Sequence, residues 1–279
     1  MTGRRVLVTG GGGYVGRHVI ASLLARRDEV LLIAPDNTGV DPRVTHIAAD
    51  FRDALPMLNG RMPDSCIHLA WRDGFRHFAD SHMSNLSAHY DFLVGLADAG
   101  LTSLTVLGSV HEIGYWEGPV DGRTPVEPKS LYGVAKNALR QALAARLESN
   151  PIDFRWIRAF YIMGDDATNQ SIFAKILQWE AEGRTTFPFT SGSNQYDFIE
   201  VGELAHQIVA ADNQTAVVGI INCCTGKPES LRSRVERFIS ENGLKITPEY
   251  GAFPDRPYDS PAIWGDTTNI RKILSNEKL

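Results

Sequence analysis

The stretch Val6-Leu7-Val8-Thr9-Gly10-Gly11-Gly12-Gly13-Tyr14-Val15-Gly16 decides the fold that we expect for this chain of 279 residues. Its apolar start predicts a buried strand, its glycines predict a tight turn, and the residues up to Arg26 predict an amphipathic helix. Gly10, Gly13 and Gly16 are spaced so that main chain can approach a pyrophosphate at the start of a helix. A plain flexible turn is the alternative, and the position between a strand and a helix disfavours it. We therefore expect a dinucleotide to bind at Gly10, Gly13, Tyr14, Val15 and Gly16.

Short apolar runs alternate with helical patterns over the first two-thirds of the chain. Parallel strands joined by crossover helices produce this alternation. We therefore expect an α/β fold, with a Rossmann-type, doubly wound parallel sheet. After the first strand, further strands are predicted at residues 30–33, 44–48, 65–69, 104–107, 154–157 and 219–222, and long helices at 82–97 and 130–147.

The alternation ends after residue 158, where one helix (about 172–182) lies between loops and the tail carries prolines at positions 254, 257 and 261. Such segments predict a small, loop-rich lobe over the carboxyl ends of the strands, where open α/β sheets bind ligands. We predict that residues 1–160, with about 196–222, form an NAD(P)-binding domain. Residues 161–195 and 223–279 are predicted to form a small C-terminal substrate-binding lobe.

The composition is that of an ordinary globular protein, with 43% hydrophobic and 22% charged residues. A net charge of −5 gives no reason to expect nucleic acid or an anionic membrane as a partner. No apolar run approaches the ~20 residues of a membrane span, and the N-terminus lacks the apolar core of a secretory signal. Cys66, Cys223 and Cys224 are too few and wrongly spaced for a zinc site or a disulfide framework, so no metal is expected. They predict small buried residues in a reducing cytoplasm.

The choice between NAD and NADP depends on the end of the second strand. An acid there binds the ribose 2′-hydroxyl of NAD. The expected position holds Ala34 instead, and Asp36 follows two residues later. Arg17 and Arg43 are the nearest groups for the 2′-phosphate of NADP. The missing acid favours NADP slightly over NAD.

Two later strand ends predict further contacts with the dinucleotide. Asp50 can accept a hydrogen bond from the adenine amino group while Phe51 lines its pocket, and a solvated loop aspartate is an equal alternative. Leu69 and Ala70 end the fourth strand, where a cofactor could lie against main chain. His68, just before them, is expected to be a core histidine with satisfied nitrogens rather than a catalyst.

Tyr132 and Lys136 lie one turn apart on one face of a predicted helix, and Ser109 lies upstream at the end of a strand. A phenol with a pKa of about 10 is a poor base at neutral pH. An ammonium about 4 Å away, at an effective dielectric constant of about 20, favours the phenolate by roughly 4 kcal/mol, or about three pKa units. We therefore expect Lys136 to bring the pKa of Tyr132 to about 7, so that Tyr132 exchanges a hydroxyl proton.

In this order, the motifs resemble those of the extended short-chain dehydrogenase/reductases that act on nucleotide sugars. Two positions depart from the family pattern: Ala159 replaces a proline, and Tyr196 stands where an arginine often binds a diphosphate. The matching motifs are Thr9 to Gly16, His68 to Ala70, the trio Ser109, Tyr132 and Lys136, the stretch from Arg158 to Gly164, the stretch from Tyr196 to Val201, and Gly265 to Thr267.

The resemblance assigns roles to these residues. It implies that Ser109 binds the sugar hydroxyl or ketone and that Tyr132 exchanges the proton. Lys136 would lower the pKa of Tyr132 and hold the nicotinamide ribose. Asn85 would keep its helix in shape beside the cofactor.

The resemblance also implies a nucleotide-sugar site and a homodimer. Arg158 and Tyr196 would contact the substrate. Dimers of the family commonly form through the two helices predicted at residues 82–97 and 130–147. The apolar side chains of these two helices are Leu86, Phe92, Leu93, Leu139 and Leu143. Burial within one chain would explain them as well as a dimer contact does.

The residues after Ser109 bear on the reaction. The family's sugar 4,6-dehydratases carry an Asp-Glu pair there, whereas this chain has Val110 and His111, so dehydration is not expected. Residues 109–118 form a polar and aromatic loop similar to those of deoxysugar 4-ketoreductases. His111 or Glu112 would donate a proton or bind the sugar, with a structural contact in the loop as an equal alternative.

The resemblance therefore implies NAD(P)H-dependent reduction of the 4-keto group of a nucleoside-diphosphate 6-deoxyhexose. A nucleotide-sugar 4-epimerase is the alternative, less favoured because the predicted lobe is short. A dinucleotide-binding sensor without turnover is a further alternative. The presence of Ser109, Tyr132 and Lys136 together disfavours it.

Overall fold

The structure of the protein is a computed structural model that describes residues 3–36, 39–58, 62–164, 169–255 and 259–277. The predicted loop at the proline of position 257 lies outside these ranges. Within them, no helix is long and apolar enough to cross a membrane.

Strands and helices alternate along the described chain. The first part comprises β1 (Arg5–Thr9), α1 (Tyr14–Ala25), β2 (Glu29–Ala34), β3 (Thr45–Ala48), β4 (Ser65–His68), α2 (Ser81–Ser84), α3 (Leu86–Asp98), β5 (Ser103–Ser109), β6 (Gly118–Val120), α4 (Leu131–Leu147) and β7 (Asp153–Ala159). The second part comprises β8 (Tyr161–Met163), α5 (Ile172–Ala181), β9 (Thr186–Pro188), β10 (Gln195–Glu200), α6 (Val201–Asp212), β11 (Gly219–Cys223), β12 (Pro228–Ser230), α7 (Leu231–Glu241), β13 (Thr247–Glu249), β14 (Ala262–Gly265) and α8 (Thr268–Asn276).

The large sheet has seven parallel strands in the order β11-β7-β5-β4-β1-β2-β3. With helices on both faces, this is the doubly wound arrangement expected from the sequence, and the predicted fold class is confirmed. The strand order reverses between β1 and β4, where Thr9 lies opposite His68. The carboxyl ends of β1, β4 and β5 therefore meet at one edge of the sheet, which is where such folds bind ligands.

The large sheet is buried on both faces, because successive side chains of a strand point to opposite sides. Val6 and Val8 of β1 pack with α1 and α6, whereas Leu7 packs on the side of α3 and α4. The tail helix α8 joins the first of these layers through Ile270 and Ile273. The sequence placed α8 in the lobe, but its apolar stripe is covered by α6 and β11 of the large domain.

The apolar side chains proposed for a dimer contact lie in the chain's own core. Phe92, Leu93, Leu139 and Leu143 are at most 2% exposed and pack between α3, α4 and the sheet. Leu86 is partly buried against the same cluster. These residues therefore present no free apolar face, and the homodimer stays a prediction.

The smaller lobe is built on a second sheet in the order β12-β10-β14-β6, with β8 paired to β10. β6 comes from within residues 1–160, so the lobe also uses chain that the sequence assigned to the other domain. β10 lies in the same sheet, although the sequence assigned residues from about 196 onwards to the NAD(P)-binding domain. The remaining domain limits stay a prediction. The buried Asp197 carboxylate ties β10 to its neighbours: it accepts hydrogen bonds from the Thr225 N–H (2.9 Å) and hydroxyl (2.6 Å), the Gly226 N–H (2.8 Å) and the Gly265 N–H (3.1 Å).

The helix predicted at residues 82–97 is two helices, α2 and α3, that meet at Asn85. The Asn85 Nδ2 donates to the Ser81 carbonyl at 2.8 Å, and the Asn85 carbonyl accepts from the His89 N–H at 3.3 Å. A side chain that satisfies a terminal helical carbonyl lets the chain change direction there. Asn85 thus shapes its helix as expected, and its contact with a cofactor stays a prediction.

Candidate active site

The turn between β1 and α1 has the geometry of a phosphate cradle. Gly10 has φ +72°, which favours glycine, and a Cβ there would collide with main chain at Ala70. A Cβ on Gly16 would collide with the Gly10 carbonyl oxygen, whereas a Cβ on Gly12 would meet no atom within 4 Å. Gly13 is the N-cap of α1 and makes no side-chain cap hydrogen bond. A glycine turn that borders open space at an uncapped helix start fits the diphosphate of a dinucleotide.

The end of β4 lies against this turn, as expected. The Ala70 N–H lies 3.4 Å from Thr9 Oγ1, and Leu69 is buried beside it. His68 Nδ1 lies 2.8 Å from Thr9 Oγ1, and its Nε2 lies 2.9 Å from His89 Nδ1. Burial holds the pKa of His68 well below its usual value. His68 is therefore a satisfied core histidine, while cofactor contacts of Leu69 and Ala70 stay a prediction.

Asp50 and Phe51, proposed for the adenine pocket, both have partners within the protein. The Asp50 carboxylate accepts hydrogen bonds from the Arg52 guanidinium, two at 2.8 Å, and from the Arg52 N–H at 3.1 Å. These bonds lower the pKa of Asp50 to about 2. Phe51 stacks on His89 with ring centroids 4.7 Å apart. Their contact with adenine stays a prediction.

Arg43, one of the two arginines considered for a 2′-phosphate, pairs with Asp41. The Arg43 guanidinium donates two hydrogen bonds to the Asp41 carboxylate, at 2.9 and 2.7 Å, and these lower the pKa of Asp41 to about 2. Arg17 is exposed on α1. Ala34 ends β2, and its carbonyl lies 2.9 Å from His46 Nε2. Arg43 would have to leave Asp41 in order to bind a 2′-phosphate.

Ser109, Tyr132 and Lys136 come together at the carboxyl end of β5. Ser109 is the last residue of β5, and Tyr132 and Lys136 lie in the first two turns of α4. The Ser109 side chain lies close enough to the Tyr132 hydroxyl to act on it as a hydrogen-bond partner that lowers its pKa. Lys136 Nζ lies 5.9 Å from the centroid of the Tyr132 ring and donates to the Leu107 carbonyl at 2.6 Å. The assembly places two hydroxyl groups and an amine at the edge of the sheet where the glycine turn lies, with the end of β4 between them.

The electrostatics of this trio differ from the expectation. Burial raises the pKa of Tyr132 to about 12, although the hydrogen bond with Ser109 acts in the opposite direction. Burial also lowers the pKa of Lys136 to about 7. Forming a phenolate in this buried site costs more free energy than the attraction of Lys136 offsets, because the Lys136 Nζ is directed at the Leu107 carbonyl. The predicted fall in the pKa of Tyr132 is therefore wrong for this structure.

Trp71, which the sequence analysis did not single out, lies in the middle of the cluster. Its ring lies 3.8 Å from Lys136 Nζ, and it meets Tyr132 edge-on with centroids 6.2 Å apart. The indole N–H donates to His82 Nδ1 at 3.0 Å, so His82 Nε2 carries the proton and donates to the Arg76 carbonyl, also at 3.0 Å. The available signal was its position directly after the end of β4.

His77 covers another side of Tyr132 and was also missed. Its ring is parallel to that of Tyr132, with centroids 5.3 Å apart and planes at 11°, and its carbonyl accepts from the Tyr132 N–H at 2.9 Å. His111 lies edge-on to His77 at 4.4 Å. Burial lowers the pKa of His111 to about 3. A neutral His111 is a poor proton donor, so that role is not supported, and its contact with sugar stays a prediction.

Glu112 and Arg158 lie inside the protein rather than in the cleft, and neither has any exposed surface. Glu112 Oε1 accepts from Trp156 Nε1 at 2.6 Å and from the Ser109 N–H at 2.8 Å. Arg158 donates to the Asp121 carbonyl at 3.0 Å. The structure contradicts the prediction that these two side chains contact sugar. The spacing of Ser109 and Glu112 is that of a capping box, a signal that could have indicated the structural contact.

Tyr196 on β10 stacks on Tyr161 of β8, with ring centroids 4.0 Å apart. Tyr161 in turn meets His111 at 5.9 Å. Tyr196 is 7% exposed and belongs to the core of the lobe. Its contact with a substrate diphosphate stays a prediction.

Residues 6–224 match the profile of the NAD dependent epimerase/dehydratase family. The chain belongs to this family. The resemblance to extended short-chain dehydrogenase/reductases is confirmed, and the protein is an NAD(P)-dependent enzyme of this type.

Two curated relatives illustrate the similarity. The chain is 41% identical over 271 residues to the dTDP-6-deoxy-L-talose 4-dehydrogenase (NAD(+)) of Aggregatibacter actinomycetemcomitans, covering 93% of this chain and 98% of that protein. It is 26% identical to the UDP-glucose 4-epimerase of Erwinia amylovora, covering 97% of this chain and 92% of that protein.

Solved structures show the same fold. The UDP-glucose 4-epimerase of Thermus thermophilus in complex with NAD superposes with a TM-score of 0.82 at 22% identity, covering 98% of this chain and 93% of that chain. The UDP-N-acetylglucosamine 4-epimerase of Methanobrevibacter ruminantium superposes with a TM-score of 0.83 at 22% identity, covering 98% and 92%.

Proposed function

We propose that the protein catalyses NAD(P)H-dependent reduction of the 4-keto group of a nucleoside-diphosphate 6-deoxyhexose. The observation that carries the proposal is the convergence of Ser109, Tyr132 and Lys136 at the edge of the sheet where the glycine turn lies. The substrate class is supported by the 41% identity to a protein named a dTDP-6-deoxy-L-talose 4-dehydrogenase (NAD(+)). A thymidine-diphosphate sugar is accordingly the first substrate to test.

Proton donation is the task of the chain's own hydroxyl groups. A bound nicotinamide dinucleotide would supply the hydride. As a ketone oxygen becomes an alkoxide, it needs hydrogen-bond donors where the charge develops. Ser109 and Tyr132 each carry one hydroxyl proton. If Ser109 turns its proton from Tyr132 to the ketone oxygen, both hydroxyls can donate to that oxygen. With a pKa of about 12, Tyr132 holds its proton until the alkoxide takes it.

Lys136 stands where it can stabilise the charge left on Tyr132. Its Nζ contacts the Leu107 carbonyl and the face of Trp71. An ammonium beside a buried phenolate lowers the free energy of the charged state. Lys136 is also the residue that we expect to hold the nicotinamide ribose.

Elimination of water is not supported by the residues after Ser109. Val110 is apolar and 3% exposed. His111 is neutral at physiological pH, because burial lowers its pKa to about 3. Glu112 is fully buried and hydrogen-bonded. None of these three side chains supplies the acid that a dehydratase needs, which favours a simple reduction.

The dinucleotide is NAD(H) or NADP(H). Ala34 leaves the end of β2 without an acid, which favours NADP, whereas Arg43, one candidate for the 2′-phosphate, would have to leave Asp41 to bind it. The relative at 41% identity carries NAD(+) in its name. The preference for NADP therefore stays a prediction, to be tested with both dinucleotides.

A nucleotide-sugar 4-epimerase is the second candidate. It is favoured by the match to the Erwinia amylovora UDP-glucose 4-epimerase over 97% of this chain. An epimerase passes the hydride out and back, so it consumes no net dinucleotide. A reductase consumes one reduced dinucleotide for each sugar.

The test is incubation of the purified protein with a dTDP-4-keto-6-deoxyhexose and NADH or NADPH, following the absorbance of the reduced nicotinamide. Stoichiometric consumption, with a 4-hydroxy sugar as the product, is the expected result. Interconversion of UDP-glucose and its 4-epimer without net consumption would assign the protein to the epimerases. Tight dinucleotide binding without turnover of either class of sugar would favour a sensor.

A further inference from the structure

Glu112 is a buried carboxylate next to the proposed catalytic trio. It lies in the 3-10 turn that follows β5 and has no exposed surface. Its Oε1 accepts two hydrogen bonds, from Trp156 Nε1 at 2.6 Å and from the Ser109 N–H at 2.8 Å. The Ser109 side chain in turn accepts from the His111 N–H at 3.2 Å. These bonds fix both the main chain and the hydroxyl of Ser109.

The neighbouring strand is built around this contact. A Cβ on Gly108 would collide with Trp156 Nε1 and approach Glu112 Oε1. A glycine in the interior of a strand is unfavourable, and it marks a place where other atoms approach the main chain closely. Gly108 lies between Ser109 and Leu107, whose carbonyl accepts from Lys136 Nζ. The same short stretch of β5 thus connects Glu112, Ser109 and Lys136.

Two arginines face Glu112, but neither neutralises it fully. Arg140 Nε lies 3.4 Å from Glu112 Oε2, and Arg158 Nη2 lies 3.8 Å from the same atom. Both distances are those of ion pairs and are longer than a normal charged hydrogen bond. Arg140 is on α4, one turn after Lys136 and on the same face. Glu112 is the charged group that acts on Lys136, and the two arginines pair with Glu112 rather than with Lys136.

We propose that Glu112 is a positioning residue of the reaction: its Oε1 fixes Ser109, and its charge favours the ammonium form of Lys136 beside Tyr132. This inference rests on the proposed function of the trio. It gives a functional reason for a buried charge that a purely structural role would not require.

The charge of Glu112 acts on both titrating members of the trio. It raises the pKa of Lys136, against the larger effect of burial. It also raises the pKa of Tyr132, in the same direction as the larger effect of burial. The other groups that face Lys136 or Tyr132 are Trp71 and the histidines His68, His77, His82, His89 and His111. For three of them, His68, His89 and His111, burial holds the pKa far below neutrality, so they add no charge there.

The charge of Glu112 determines the direction in which the pH profile of the reaction should shift. A neutral residue at position 112 would lower the pKa of Lys136 and the pKa of Tyr132. Reduction needs a charged Lys136 and a protonated Tyr132, so its rate falls as the pH rises through either value. In Glu112→Gln, this alkaline limb of kcat/KM should shift to lower pH by on the order of one unit. Glutamine keeps an oxygen for the Ser109 and Trp156 bonds, so the variant separates charge from geometry.

Trp156→Phe and Arg140→Gln complete the design. Trp156→Phe removes one hydrogen bond to Glu112 but leaves the charge, so the alkaline limb should stay in place. Arg140→Gln removes a positive charge beside Glu112, so the limb should shift to higher pH. Opposite shifts in Glu112→Gln and Arg140→Gln support the inference. A lower thermal midpoint with an unchanged pH profile in both variants would overturn it and leave Glu112 a purely structural residue.

A second measurement does not depend on the sugar. The pH dependence of NADH or NADPH binding, followed by fluorescence of the reduced nicotinamide, reports the charge of Lys136 if this residue holds the ribose. Binding should weaken at lower pH in Glu112→Gln than in the unaltered protein. If no ketosugar is turned over, the proposed function fails, while this titration still decides the role of Glu112. If Glu112→Gln does not fold, the direction of the Arg140→Gln shift decides it, and no shift refutes the inference.

Discussion

Replacing Asp197 with asparagine should weaken the attachment of the smaller lobe. The Asp197 carboxylate has no exposed surface and accepts hydrogen bonds at 2.6–3.1 Å from Thr225, Gly226 and Gly265. Oδ1 accepts both bonds from Thr225, and Oδ2 accepts those from the two glycines. An asparagine has nearly the same size, but one of its two ends carries N–H groups, which cannot accept. One pair of donors therefore loses its acceptor.

The loss can be estimated from these bonds. A hydrogen bond to a charged group contributes about 1.5–3 kcal/mol, so losing two should lower the free energy of unfolding by about 3–6 kcal/mol. That is a large part of the ~5–15 kcal/mol of a typical native protein. Urea unfolding followed by circular dichroism measures the change. Asp98→Asn is the matched control, because Asp98 pairs with Arg146 at an exposed site and should contribute less than about 1 kcal/mol.

The same variant should affect sugar binding more than dinucleotide binding. Asp197 connects β10 to the ends of β11 and β14, and β10 carries the proposed substrate residue Tyr196. At a temperature where Asp197→Asn is folded, KM for the sugar should rise while KM for the dinucleotide changes little. A destabilisation below about 1 kcal/mol, with KM for the sugar unchanged, would refute the idea that these hydrogen bonds hold the lobe.

Three further substitutions test the site. Tyr132→Phe removes the donor hydroxyl and should lower kcat by about a hundred-fold or more, with dinucleotide affinity nearly unchanged by fluorescence titration; a small drop would assign the proton to another residue. Trp71→Leu removes the ring 3.8 Å from Lys136 Nζ, so the pKa of Lys136 should fall below about 7. Dinucleotide binding should then weaken at a pH lower by up to about one unit, whereas Trp71→Phe should keep most of the original pH dependence. Gly16→Ala places a Cβ against the Gly10 carbonyl and should abolish dinucleotide binding in equilibrium dialysis, whereas Gly12→Ala, whose Cβ meets no atom within 4 Å, should not. Equal loss of binding in both variants would contradict the assignment of this turn as the phosphate site.

The large sheet and the position of the site could be predicted from the sequence, because both depend on local patterns. The glycine turn marks the start of α1, and apolar runs mark strands whose carboxyl ends must meet at one edge. The Tyr132 and Lys136 spacing places both on one face of α4. These features need no knowledge of distant contacts.

The electrostatics of the trio could not be predicted in the same way. Helical spacing does not determine where a flexible lysine side chain points, and Lys136 Nζ is directed at the Leu107 carbonyl and the ring of Trp71. Neither partner is near Lys136 in sequence. Trp71 and His77 lie in a segment without helical or strand periodicity. Trp71 donates to His82, and His77 stacks on Tyr132. Such contacts depend on tertiary packing alone.

The protonation of Tyr132 is compatible with the proposed reduction. Reduction of a ketone needs an acid, and burial raises the pKa of Tyr132 to about 12, so its hydroxyl holds a proton at physiological pH. Glu112 acts in the same sense on Tyr132, since its charge opposes formation of a second anion nearby. The charge on Lys136 then stabilises the phenolate that remains after the proton has left, which is why a group that maintains that charge should affect turnover more than folding.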